Sequence, residues 1–152
     1  MKIKIILFTL IFLWVAGIFI HFFIPSFNGL FYLLPFLENT YSTVCHQQEE
    51  KLLNFNGYKT LVCARCTGIY LGALFSSFGL LFLKLKNSLN IKFLMFASIP
   101  MLGDVILYST GIYTYSKTVA LITGLLLGSI GFLYIHEGIM DLFEEKNKKD
   151  KN

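Results

Sequence analysis

The chain has 152 residues, enough for one domain, and combines 55% hydrophobic residues with only 14% charged residues and a mean hydropathy of +0.65. Because a soluble domain usually carries about a quarter charged residues, this composition predicts an integral membrane protein. The formal charge of +4 does not indicate a nucleic-acid partner, since the lysines flank apolar runs and form no basic stripe with interleaved aromatic residues.

Four apolar runs follow one another, at residues 5–24, 66–83, 91–108 and 118–135. Each has roughly 18–20 residues, the length of a helix that crosses a ~30 Å hydrocarbon core. Helix is expected because the backbone must satisfy its own hydrogen bonds in lipid. The sequence therefore predicts an all-α fold, a single membrane domain over residues 1–152 with about four transmembrane helices in a small bundle. A long outer loop at 25–65 and a charged cytoplasmic tail at 142–152 complete this prediction.

The basic residues predict how the helices are oriented. The first run follows Lys2 and Lys4, a basic start that is typical of a signal peptide. However, the apolar stretch is too long for a signal peptide and no small-x-small cleavage site follows it, which favours an uncleaved anchor. With the N-terminus inside, nine lysines are cytoplasmic: Lys2, Lys4, Lys84, Lys86, Lys92, Lys146, Lys148, Lys149 and Lys151. Only four basic residues are then outside: Lys51, Lys59, Arg65 and Lys117. This bias predicts a multi-pass plasma-membrane protein with both termini cytoplasmic and an extracytoplasmic loop 25–65.

The outer loop carries most of the residues with useful chemistry. Cys45 and the adjacent His46 precede a C-x-x-C formed by Cys63 and Cys66. Thr43 is expected to cap a short helix over 45–51, and Asn56-Gly57 to form a tight turn that returns the chain to the C-x-x-C. Three thiols and one imidazole are a complete tetrahedral ligand set for zinc, or a soft site for iron. Adjacent ligands at Cys45 and His46 are geometrically awkward on one ion.

The same cysteines permit two other interpretations. At a helix N-terminus the macrodipole and Arg65 would stabilise thiolates, so Cys63 and Cys66 would exchange disulfides while Cys45 serves as the resolving thiol. A redox partner or a quinone would then be needed. Alternatively, the cysteines are small buried hydrophobes, although their placement on one side of the membrane argues against that.

Polar and small residues within the predicted helices add to this site. Asp104 lies about one helical turn from the outer end of its helix, where an acid is functional by default and would pair with Arg65, ligate or accept a proton. His21 has a similar depth, but a lone histidine near a helix end is more often interfacial. The G-x-x-x-G pairs at 68–72 and 124–128 predict close helix packing or a homo-oligomer interface. A small transporter or accessory subunit remains a third functional alternative, whereas no motif for nucleotide binding or hydrolysis is present.

The motifs also resemble those of a known family. C-H-Q at 45–47 and C-A-R-C-T-G-I-Y-L-G at 63–72 resemble the hallmark of prokaryotic membrane proteins of domain-of-unknown-function family 2085. Residues 100–104 and 123–128 are similar to the family's proline–aspartate and glycine motifs. The resemblance covers roughly residues 45–128. It implies a membrane protein with an intact Cys/His set and implies no particular activity.

Overall fold

The structure is a computed structural model that describes residues 2–23, 28–55, 57–82 and 90–149. The chain is mostly helical, with α1 Lys2–Ile18, α2 Ile20–Phe23, α3 Leu34–Ser42, α4 Ala64–Phe82, α5 Ile91–Ser109 and α6 Lys117–Lys149. Short 3-10 helices cover Asn28–Leu33 and Glu49–Lys51, and the antiparallel strands are β1 Leu52–Phe55 and β2 Tyr58–Cys63.

Three helices are long and apolar enough to cross a membrane, by length and composition. They are α4, α5 and the segment Lys117–Met140 of α6, which confirms three of the predicted membrane-length helices. The first predicted run is divided, because α1 ends at Ile18 and the Phe19 N–H donates to the Ala16 carbonyl at 3.2 Å before α2 begins. Ile24 and Leu83, at the ends of two predicted runs, lie outside the described residues.

The glycine motifs bring α4 and α6 into direct backbone contact. A Cβ atom on Gly68, Gly72, Gly124 or Gly128 would overlap the carbonyl oxygen of Leu121, Leu125, Arg65 or Ile69, respectively. The predicted close packing is therefore confirmed, and the two helices run in the same direction. A homo-oligomer built on the same glycine faces would have to separate α4 from α6.

The flanking helices run the opposite way. Lys4 Nζ donates to the Leu80 carbonyl at 2.8 Å, so the start of α1 lies beside the end of α4. Asp104, late in α5, contacts Arg65 at the start of α4. Consequently, the ends of α1 and α5 and the starts of α4 and α6 lie at one end of the molecule, together with the hairpin.

The segment before the hairpin differs from the sequence prediction. Thr43 does not start a helix over 45–51; it ends α3, which begins at Leu34 with Pro35 in its first turn, a position that proline favours. Residues 45–48 have no regular structure and only Glu49–Lys51 form a 3-10 turn.

The hairpin also differs from the prediction, because the sequence predicts a tight turn at 56–57 but not the strands on either side of it. Asn56 lies outside the described residues, while Gly57 adopts φ +87°, a conformation that glycine reaches without strain.

The C-terminal helix is longer than predicted. The sequence predicted a helix that ends near 135 and a charged tail from 142, whereas α6 continues to Lys149. Leucine, glutamate and lysine in this stretch all have high helix propensity, which supports the extension.

A small apolar core lies at the hairpin end of the molecule. Its buried members come from α1, α2, α3, β2 and the segment after α3: Ile18, Ile20, Tyr41, Cys45, Leu61 and Val62. The Tyr41 hydroxyl donates to the Trp14 carbonyl at 2.6 Å, which fastens α3 to α1. Because Cys45 belongs to this core, its position is fixed by side-chain packing as well as by its covalent attachment to α3.

Candidate metal centre

Three cysteine side chains converge at the hairpin end. The Sγ atoms of Cys45, Cys63 and Cys66 all lie within 4.8 Å of one another, and none of the three is in a disulfide. Three thiolates on a tetrahedral zinc ion would lie roughly 3.8 Å apart, given Zn–S distances of about 2.3 Å. Small side-chain rotations would therefore bring the three sulfurs to ligand distance.

Each cysteine is placed by a different element. Cys45 follows α3 and is 7% exposed, Cys63 ends β2, and Cys66 lies in the first turn of α4. The hairpin pairs Cys63 with Leu52, and the Cys63 N–H donates to Cys45 Sγ at 3.3 Å. Distant parts of the chain thus build one site.

Gln47 fixes the segment that carries Cys45. Its backbone has φ +46°, a left-handed conformation that is uncommon for a residue other than glycine. Its side-chain Nε2 donates to the Leu61 carbonyl of β2 at 2.8 Å and lies 3.4 Å from the Glu38 carbonyl of α3. Gln47 therefore joins the chain after Cys45 to both neighbouring elements.

Cys63 is set up to carry a negative charge. It directly precedes α4, and hydrogen bonds from the Cys66 thiol, together with those from the backbone N–H groups of Cys66 and Arg65, lower the pKa of Cys63 well below its usual value, outweighing burial. The partial positive charge at the N-terminal end of a helix also stabilises an anion there. The lowered pKa favours the thiolate form of Cys63, the form that binds metals and attacks disulfides.

The predicted histidines lie outside the thiol cluster. His46 is exposed to solvent, so the structure brings together three of the four predicted ligands. His21 Nδ1 lies 2.9 Å from the Lys59 carbonyl, where it joins α2 to β2.

Asp104 forms a buried ion pair with Arg65. Asp104 Oδ2 lies 2.5 Å from Arg65 Nη2, and the Asp104 side chain is only 2% exposed. The Tyr113 hydroxyl donates to the other carboxylate oxygen. Both oxygens of Asp104 therefore have partners, and the ion pair holds the side chain of Arg65, the residue between Ala64 and Cys66 at the start of α4.

Tyrosines around the α5–α6 connection are functional candidates that sequence reasoning missed. The ring of Tyr115 packs edge-on against Tyr108 at 5.5 Å, and Lys51 Nζ lies 4.5 Å from the centroid of Tyr108. Burial, with a contribution from the charge of Cys63, raises the pKa of Tyr115 to about 12, so its hydroxyl stays protonated at neutral pH. The recurrence of tyrosine at 108, 113 and 115, close to the predicted outer end of α5, was the available signal.

Comparison with known proteins gives a family match. A family model described as "Predicted membrane protein (DUF2085)" matches residues 45–134. An uncharacterized protein of Methanocaldococcus jannaschii is 32% identical over 111 residues, which cover 71% of each chain. An uncharacterized protein of Methanothermobacter thermautotrophicus is 53% identical over 30 residues, which cover 20% of this chain and 27% of that protein. No solved structure matches the chain.

Proposed function

The chain belongs to the DUF2085 family of predicted membrane proteins, and we propose that it binds a metal ion, zinc or iron, through Cys45, Cys63 and Cys66. One observation carries the proposal: three free thiols from separate elements lie within 4.8 Å of one another. Thiolates are soft ligands that zinc and iron accept, and the lowered pKa of Cys63 favours its thiolate form.

The three thiolates leave one tetrahedral position for another ligand. His46 remains a proposed fourth ligand, but its exposed ring would have to turn inward beside Cys45. A site completed by His46 would be closed and structural, and the metal would hold α3, β2 and α4 together. A site without His46 would keep an open position, as catalytic zinc sites do.

We also propose that the chain crosses the plasma membrane four times, as a single membrane domain with cytoplasmic termini and an extracytoplasmic cysteine site. The alternating directions of α1, α4, α5 and α6 support this arrangement. α1 has 17 residues and spans roughly 26 Å, close to the hydrocarbon thickness. Its exposed Leu10 and Leu13 would face the lipid bilayer.

The metal proposal is tested by elemental mass spectrometry on protein purified anaerobically in detergent. We expect close to one zinc or iron ion per chain, and its loss in Cys45→Ser, Cys63→Ser and Cys66→Ser. Ser77→Ala is the matched control, because Ser77 is buried on α4 about three turns from Cys66. Metal retained in His46→Ala would remove His46 from the ligand set.

A free-thiol count on the same samples can reveal the outcome that would contradict metal binding. Metal-free wild-type protein with two thiols missing until a reductant is added would refute metal binding. It would instead support a second function, thiol–disulfide exchange.

The lowered pKa of the Cys63 thiol, with Cys66 beside it, favours this second function. With Cys66 nearby and all three thiols free, Cys63 and Cys66 would form a disulfide. Oxidation of the Cys63 thiolate and the Cys66 thiol releases two electrons and one proton, which a disulfide of a partner protein, or a quinone in the bilayer that takes a second proton from water, would accept. Cys45 would then serve as the resolving thiol.

A further inference from the structure

The helix α3 and the 3-10 turn before it expose large apolar side chains. Tyr32, Leu33 and Phe36 are 86%, 50% and 69% exposed, respectively, and they stand close together in the chain. These three residues form the α3 patch. A group of neighbouring apolar side chains that the protein leaves uncovered marks a surface for a partner or a membrane.

The polar and apolar side chains of α3 lie on different faces. Successive residues of an α-helix are turned by about 100°. Leu34, Leu37 and Tyr41 share the face that packs on the protein, and Tyr41 is only 1% exposed. The exposed Phe36 and the exposed Glu38 lie on opposite flanks of that face, about 160° apart. One flank is therefore apolar and the other polar, the pattern of a helix that lies between lipid and water.

The ring contacts of Tyr41 show how deep α3 lies along the helix bundle. The Trp14 ring centroid is 4.7 Å from that of Tyr41 and 6.0 Å from that of Tyr70. Tyr70 is six residues beyond the start of α4, so these rings lie roughly 9 Å along that helix. A Cβ atom on Gly17 would overlap the Tyr41 hydroxyl, which places α3 against the last turn of α1. The inner face of α3 thus reaches the level of a membrane-length helix.

This level indicates that lipid covers the α3 patch. At the end of a membrane-length helix, the space outside the bundle contains headgroups and the upper part of the acyl chains. Tyrosine and other aromatic side chains are enriched in this layer. Glu38 and Ser42 are exposed on the polar flank, where they would remain in water. A soluble partner would instead have to displace headgroups to reach Phe36.

We propose that α3 is an interfacial helix whose patch, formed by Tyr32, Leu33 and Phe36, is buried in the bilayer leaflet on the cysteine side. This inference rests on the proposed membrane arrangement, in which α4 begins at that leaflet. Cys45 follows the last residue of α3 by three positions. Lipid contact at the patch would therefore hold the thiol cluster at the membrane surface.

Tryptophan fluorescence of the full-length protein in phosphatidylcholine vesicles tests the inference. Trp14→Phe removes the single tryptophan of the chain and keeps an aromatic ring beside Tyr41. In that background, Phe36→Trp should emit at shorter wavelength than tryptophan in water, and lipid brominated near its headgroup should quench it. Tyr32→Trp is a second probe of the patch and should respond in the same way.

Glu38→Trp is the matched control, because it places the same fluorophore on the opposite flank of the same helix. Its emission should resemble that of tryptophan in water, and acrylamide should quench it more strongly than brominated lipid does. The patch probes should show the reverse preference, since lipid shields them from acrylamide.

A probe on α4 separates this inference from the membrane arrangement on which it rests. Phe75 is 61% exposed near the middle of α4, so lipid brominated near the ends of its acyl chains should quench Phe75→Trp best. If it does, but Phe36→Trp and Tyr32→Trp respond like Glu38→Trp, the interfacial helix is refuted and the span of α4 stands. Stronger quenching of Phe36→Trp by chain-end bromine than by headgroup-end bromine would also refute an interfacial position. If neither brominated lipid quenches Phe75→Trp, the span of α4 and the inference fail together.

Discussion

At the scale of single residues, the most constrained group is the Asp104 carboxylate. A charge in a membrane helix is expensive unless it is paired. Here one oxygen contacts Arg65 and the other accepts a hydrogen bond from Tyr113. Because Arg65 lies between two of the cysteines, the ion pair also fixes the start of α4 relative to α5. Asp104 therefore stabilises the site without joining its ligands.

We expect Asp104→Asn to destabilise the protein by about 3 kcal/mol, because it leaves the Arg65 charge buried without a counter-ion. Thermal unfolding followed by circular dichroism in detergent would measure the loss. Ser109→Ala is the control, since its exposed hydroxyl bonds only within α5. The double variant Arg65→Met/Asp104→Leu should recover part of the stability by removing both charges. An Asp104→Asn protein as stable as the control would show that the pair contributes little.

At the scale of elements, the α4–α6 pair determines where the C-x-x-C lies. Four glycines allow the two backbones to touch, and Gly124 faces the Arg65 carbonyl within the motif itself. Any added side chain would separate the helices next to the first turn of α4, where Cys66 lies. Packing of this pair and geometry of the thiol cluster should consequently be coupled.

Gly68→Ala is expected to destabilise the protein by about 1–3 kcal/mol, the usual cost of overpacking, and to reduce metal occupancy. Gly79→Ala is the matched control on the same helix, because a Cβ atom there meets no atom within 4 Å among the described residues. Alanine should stabilise that position by up to about 1 kcal/mol through its helix propensity. The unfolding temperature and the metal content of both variants test this prediction. Equal behaviour of the two would mean that α4 and α6 do not pack as described.

At the scale of the whole molecule, the site and the charged termini occupy opposite ends. α4 and α6 run away from the cysteines, whereas α1 and α5 run toward them, as the contacts at Lys4 and Asp104 show. A four-span protein with this polarity would present its cysteines on one side of the membrane and both termini on the other.

An epitope inserted after Gly57, at the exposed turn of the hairpin, should be accessible to antibody on intact cells. The same epitope appended after Asn152 should become accessible only after the membrane is permeabilised, because the lysine bias keeps both termini inside. Each epitope position serves as the control for the other in the same experiment. Staining of the C-terminal epitope on intact cells would refute the proposed orientation.

The sequence by itself determined the properties that depend on composition and local pattern. Apolar length fixed the bounds of α4 and α5 to within two residues, since a helix in lipid needs a nearly constant number of apolar residues. The cysteine and glycine motifs were sufficient to identify the family. The break at Phe19 and the strands of the hairpin were not predicted, because short segments with mixed polarity carry weak periodicity.

Only the tertiary structure decided how the site is assembled. The hairpin places Cys63 beside Cys45, the left-handed backbone of Gln47 carries the chain past the cluster, and His46 is left facing solvent. The packing of the α5–α6 connection brings Tyr115 beside Arg65. These arrangements depend on contacts between residues far apart in the chain, and such contacts leave no signal at any single position of the sequence.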